Sequence, residues 1–111
     1  MNRLNLTPLA KNDLHEIRQY INDELQNPSA STRIVKLITK KLRSLIDFAA
    51  IGADLSSVMD IETDYRFLVC GNYTAFYRYE DKAIYVIRIL HNRRDFLKVL
   101  FGITALDDDE E

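Results

Sequence analysis

The sequence predicts an α+β fold: an N-terminal edge strand, a helical hairpin packed on an antiparallel three-stranded meander, and a short C-terminal helix. Three observations predict it. Residues 65–70, 73–79 and 84–90 are short runs rich in aromatic and β-branched side chains, the composition that suits a pleated, half-buried surface. Gly71-Asn72 and Glu80-Asp81-Lys82 separate them with residues that favour tight hairpin turns. Ahead of the meander, two series of apolar residues recur at three- and four-residue spacing, which marks two amphipathic helices.

Taken in order, Arg3-Leu4-Asn5-Leu6 alternates polar and apolar residues and reads as a short strand at a sheet edge. Thr7-Pro8 then supplies a helix cap followed by proline at the first helical position, where its missing N–H costs nothing. The first helical series is Ala10, Leu14, Ile17, Ile21 and Leu25. Asn27-Pro28-Ser29 interrupts it, and the second series, Ile34, Leu37, Ile38, Leu42, Leu45 and Ala49, runs on until Gly52 offers a stop. Residues 53–64 show no period and read as a loop. Their acids Asp60, Glu62 and Asp64 suit a solvated loop better than a metal site. After the meander, Asp95 caps a short helix over 96–101 that Gly102 ends.

If both hairpin loops hold two residues, counting outward pairs Arg66 with Tyr77 and Val86, and Leu68 with Ala75 and Arg88. One face then carries both arginines. The other face receives Phe67, Val69, Thr74, Phe76, Ile87 and Ile89 and is expected to be the core face under the helices. His91-Asn92-Arg93-Arg94-Asp95 follows where the last strand runs out.

A chain of 111 residues with 47% hydrophobic residues has material for one compact core and not for two. The expectation is a single domain over residues 1–106 and a disordered acidic tail over 107–111. That tail holds five of the 17 acidic residues, leaving 15 basic against 12 acidic in the rest, so the folded part is mildly basic although the net charge is −2. Cys70 is the single cysteine, which rules out an intramolecular disulfide framework and suits a small strand residue beside a turn. Nothing near the start resembles a signal peptide, and charges interrupt every apolar stretch long before the ~20 residues needed to span a bilayer. The cytoplasm is the expected location, with no membrane contact.

The opening Leu6-Thr7-Pro8-Leu9-Ala10, the Tyr65-Arg66 pair before a hydrophobic strand, Asn72-Tyr73 with Tyr77 in the next strand, and Val86-Ile87-Arg88-Ile89-Leu90-His91 leading to Arg93-Arg94-Asp95 come in a telling order and spacing. Together they resemble the RelE/ParE superfamily of bacterial toxins from type II toxin–antitoxin pairs, over nearly the whole chain. The resemblance implies a growth-inhibiting toxin of a plasmid-stabilisation pair whose partner is a cognate antitoxin. It leaves the activity open, because one branch cleaves mRNA in the ribosomal A site and another poisons DNA gyrase.

For RNA cleavage, the 2′-hydroxyl attacks the adjacent phosphate, so a site needs cations for the phosphate charge and a titratable group for the protons. Arg66 and Arg88 stand where RelE-like enzymes carry phosphate-binding arginines, and His91 is the candidate acid or base. Such a nuclease would be metal-independent, and neither a cofactor nor a metal is expected. No second proton-transfer residue is evident, and the His-x-Arg-Arg-Asp ending is closer to ParE-type sequences. The reading therefore tilts to a ParE-like gyrase inhibitor, with the ribosome-dependent mRNA endonuclease as alternative and a member whose toxicity has been lost as a third. Arg93, Arg94 and Tyr77 are the candidate partner-binding residues. The acidic tail is expected to lie in solvent or to fold back over Arg93 and Arg94.

Overall fold

The computed structural model describes residues 2–102, and the acidic run 107–111 lies outside them. Strand β1 (Arg3–Leu6) leads into helix α1 (Pro8–Gln19), which continues as a π-helical turn over Tyr20–Glu24, and then into α2 (Pro28–Asp47). Thr7 caps α1 as expected: its hydroxyl accepts the Ala10 N–H at 3.2 Å, with Pro8 at the first position. Asn27 does the same for α2, accepting the Ala30 N–H at 3.1 Å.

Strands β3 (Arg66–Cys70), β4 (Tyr73–Glu80) and β5 (Ala83–His91) form the meander. Gly71 adopts φ 65° in the first turn, and Asp81 and Lys82 take φ 52° and 63° in the second. Both central residues at positive φ give the twist that a two-residue hairpin needs. Strand β1 lies parallel to β5 at one edge of a five-stranded sheet ordered β1-β5-β4-β3-β2. The segment after α2 is more than a loop: β2 (Ala53–Asp54) pairs with Phe67 and Arg66, and α3 (Leu55–Val58) is a single helical turn. Helix α4 (Phe96–Phe101) follows β5; the Asp95 carboxylate accepts the Lys98 N–H, and Gly102 ends it at φ 70°.

The counted register holds for Arg66 with Tyr77, Leu68 with Ala75, and Tyr77 with Val86. It fails one step later. A β-bulge inserts Ile87, so Phe76 faces Arg88 and Ala75 faces Ile89. Helix α1 and its cap hold this bulge in place. The Thr7 hydroxyl donates to the Ile87 carbonyl at 3.0 Å, and the Asp13 carboxylate accepts the Ile89 N–H at 2.9 Å, so backbone groups at the bulge find partners outside the ladder.

The core face differs from the expected one for a related reason. Leu68, Cys70, Ala75, Tyr77, Ile84, Val86 and Ile89 pack with the helical hairpin around Ile38, Leu42 and Leu45. Of the residues expected there, Ile89 alone joins that cluster, carried over by the bulge. Phe67 and Phe76 instead meet Leu55, Leu90 and Phe96 in a second, smaller cluster under α3 and α4. Both faces of the sheet are covered, so the alternation of apolar residues could not say which one the hairpin takes.

Gly52 also has a different role from the helix stop expected of it, since α2 ends at Asp47. A Cβ there would stand 2.5 Å from both the Phe67 carbonyl oxygen and the Tyr77 hydroxyl. That space is needed because Tyr77 donates to the Ala49 carbonyl at 2.8 Å and accepts the Gly52 N–H at 3.1 Å. The tyrosine thereby latches the turn after α2 to the middle of the sheet.

Candidate functional site

The residues expected to carry chemistry are dispersed. Arg88 is taken up by Asp13, whose two carboxylate oxygens accept Nε at 2.7 Å and Nη2 at 2.8 Å. The pair is largely buried, with 19% of the arginine side chain and 6% of the aspartate side chain exposed. Hydrogen bonding to Asp13 holds the Arg88 guanidinium above its ordinary range. Arg66 donates to the Ala50 carbonyl at 3.1 Å and the Gly52 carbonyl at 2.7 Å, and pairs with Asp54. Arg88 thus bonds to helix α1, and Arg66 to the turn after α2 and to strand β2.

Arg66 lies level with Tyr77 and His91 level with Tyr73. Four residues of strand and two strand spacings therefore separate them, roughly 16 Å between backbones. The Arg66 guanidinium is engaged by Ala50, Gly52 and Asp54 and not by His91. Tyr77 is fully buried, so the partner-binding role expected of it is corrected to that of the latch described above. Asp60, Glu62 and Asp64 are exposed, and Asp64 pairs with Arg78 at 2.9 Å.

The strand exit stands in the open. His91, Asn92, Arg93 and Arg94 are all exposed, yet their backbone is fixed. Asn92 donates its N–H to the Asn72 carbonyl at 2.9 Å and its side-chain amide to the Gly71 carbonyl at 3.2 Å, while its side-chain oxygen accepts the Thr74 hydroxyl at 2.7 Å. The Arg94 N–H donates to the His91 carbonyl at 2.8 Å. His91 stands edge-on to Tyr73, with ring centres 5.3 Å apart. Burial raises the Tyr73 hydroxyl pKa, with the neighbouring Tyr20 adding to the effect.

The His91 ring also has a defined hydrogen-bonding state. Its Nδ1 accepts the Arg93 N–H at 3.1 Å, which puts the lone pair on Nδ1 and the proton on Nε2. A ring so held presents an N–H outward.

This rigid turn forms a ridge between two depressions, and His91 and Arg94 line both. One is a groove of about 540 Å³ beside the first helix, with Asp13, Glu16, Tyr20, Leu25 and Tyr73 in its walls. The other is a hollow of about 250 Å³ on the opposite side, walled by Leu55, Val58, Met59, Phe67 and Phe96. Tyr20, Leu25 and Val58 are each more than half exposed. Arginines on a fixed ridge with apolar side chains on either flank are the makings of a protein-binding surface.

A family model for the ParE toxin of the type II toxin–antitoxin system parDE matches residues 4–96. The chain belongs to the ParE toxin family. No curated protein matches at a significant level. Among solved structures, one titled "Chromosomal ParDE TA system from P. aeruginosa" is 26% identical, covers 82% of this chain and 96% of its own, and superposes with a TM-score of 0.67. Membership of the ParE family gives the chain a toxin's role and a cognate antitoxin as partner. Among the described residues, no helix is long and apolar enough to cross a membrane.

Sequence reasoning missed Asp13, though a signal was present. With Ala10 and Ile17 it keeps the three- and four-residue spacing of the apolar face of α1, and a carboxylate on a core face requires a partner. The partner is Arg88.

Proposed function

We propose that this ParE-family toxin stops growth by binding DNA gyrase and does not cleave mRNA. The observation that carries the reading is the state of the three residues on which cleavage would depend. Asp13 occupies Arg88, Asp54 and two backbone carbonyls occupy Arg66, and the backbones of His91 and Arg66 stand roughly 16 Å apart. Phosphoryl chemistry needs cations and a proton carrier converging on one group. A binding toxin needs an exposed ridge with apolar flanks, and the strand exit supplies one.

Induced expression with separate pulse-labelling of protein and DNA synthesis tests the proposal, together with supercoiling by purified gyrase in the presence of the protein. An early replication block with a DNA-damage response and loss of supercoiling is the expected result. An early translation block with mRNA cut on ribosomes would replace this reading with the nuclease one. Unimpeded growth would mean that toxicity has been lost.

A further inference from the structure

Helix α2 carries a feature that neither the toxin role nor the strand exit uses. Arg33, Lys36, Lys40 and Arg43 are all exposed, and their spacing of three, four and three residues keeps them within about 80° of one helix face over about 15 Å. No aspartate or glutamate occurs from residue 25 to 46, and Asp47 is the first carboxylate to return. Among the described residues, none of the four cations lies within salt-bridge distance of a carboxylate. Like charges three and four residues apart disfavour a helix. Helix α1 differs in carrying both signs, Lys11 and Arg18 with Asp13 and Glu16.

We infer that this stripe is a docking surface for the phosphate backbone of duplex DNA. Leu37, 39% exposed, is the only large apolar residue exposed on α2, so the face lacks the apolar centre on which a protein interface depends. The residues from 28 to 47 include no aromatic side chain, which leaves no stacking platform for the bases of a single strand. Cations alone, at intervals along a straight rod, suit sequence-independent contact with a duplex backbone. The choice of DNA over RNA rests on the gyrase reading, since a toxin bound to that enzyme works beside DNA.

The experiment measures binding of the full chain to short labelled DNA duplexes of two unrelated sequences by fluorescence anisotropy over a salt series. Four phosphate contacts predict a slope of log K against log salt of about −3.5, equally for both sequences. The Lys36→Gln/Lys40→Gln variant should lose about two units of that slope, and adding Arg33→Gln and Arg43→Gln should abolish most of the rest. Unchanged circular dichroism and an equal or slightly higher melting temperature are expected for both variants, because the positions are exposed and the repulsion along α2 is relieved.

Several results would overturn the inference: no binding at low salt, an undiminished slope in the quadruple variant, or preference for an RNA duplex. So would loss of antitoxin affinity with DNA binding intact, which would assign the stripe to an acidic protein. Binding by a chain ending at residue 106 and not by the full chain would make the acidic tail the occupant. The duplex assay contains no gyrase, so inhibition of gyrase that persists in the quadruple variant, or fails in the parent, bears on the proposed activity and leaves the docking measurement independent.

Discussion

Two pairs of arginines, one inside the strands and one just beyond them, show how little the residue type decides. Arg88 reaches helix α1 and Arg66 the turn after α2, and they are matched by Asp13 and Asp54. Arg93 and Arg94 stand exposed on a turn held by backbone bonds and by Asn92, and among the described residues they meet no carboxylate within salt-bridge distance. A guanidinium in the first situation helps to hold the fold, because a partly buried charge is tolerated only with a partner. In the second it is available to something else.

The largest effect should come from removing the acid of the inner pair. Asp13→Ala leaves the Arg88 charge without its partner and the Ile89 N–H at the bulge without an acceptor, and should cost about 3 kcal/mol in urea unfolding. Adding Arg88→Met should recover part of the loss by replacing the stranded charge with an apolar chain. Equal instability of the single and double variants would mean that contacts of α1, not the ion pair, set the cost.

Cys70 shows a second way for the same sheet to hold an ionisable group: it stays neutral instead of being paired. Burial pushes the thiol up from its ordinary 9.0 to about 11, against a smaller opposing pull from Lys41. The folded chain therefore keeps a proton that the unfolded chain gives up between those values. Stability from this source is complete below pH 9 and is lost as pH rises through about 11. The loss should be on the order of 2 kcal/mol relative to a Cys70→Ala variant followed over the same pH range. Alkylation of the native protein should be correspondingly slow at pH 8. Fast native alkylation would show the thiol to be accessible and ionised, contrary to its burial.

Arg66→Ala should have a smaller effect, about 1.5 kcal/mol, because Asp54 is itself 57% exposed and remains hydrated once the arginine is gone. Arg66→Lys should not restore the loss, since an ammonium cannot span the same set of acceptors as the planar fork. Full recovery by lysine would reduce Arg66 to a point charge and weaken its description as a brace for the turn after α2.

Local chemistry made most of the fold legible, but strand parity was not, because a bulge changes it. Thr7-Pro8, Asn27-Pro28, Gly71-Asn72 and Asp95 with Gly102 each act within a few residues, so the helices and turns they bound follow from the sequence. The bulge at Ile87 depends on Thr7 and Asp13, about eighty residues away. Nothing adjacent to Arg88 announces it, and the bulge moves Ile89 onto the helix face. The strand exit was legible because a run of polar residues after a strand has nowhere to go but solvent. The inner arginines were misread because an arginine in a strand looks the same whether a carboxylate 75 positions away claims it or not.

The smallest effect on stability should come from the outer pair, with Arg93→Ala/Arg94→Ala unfolding within about 0.5 kcal/mol of the parent, as exposed substitutions usually do. The same variant should be weakened towards the antitoxin. If acidic side chains of the antitoxin meet these arginines deep in the contact, dissociation should speed up at every salt concentration. If they meet them at its rim, association should slow at low salt and the difference should fade as the ions screen it. Surface plasmon resonance at two ionic strengths separates the cases. Unchanged kinetics at both would remove Arg93 and Arg94 from the antitoxin contact, and a large loss of folding stability would move them to the structural side and erase the distinction between the two pairs.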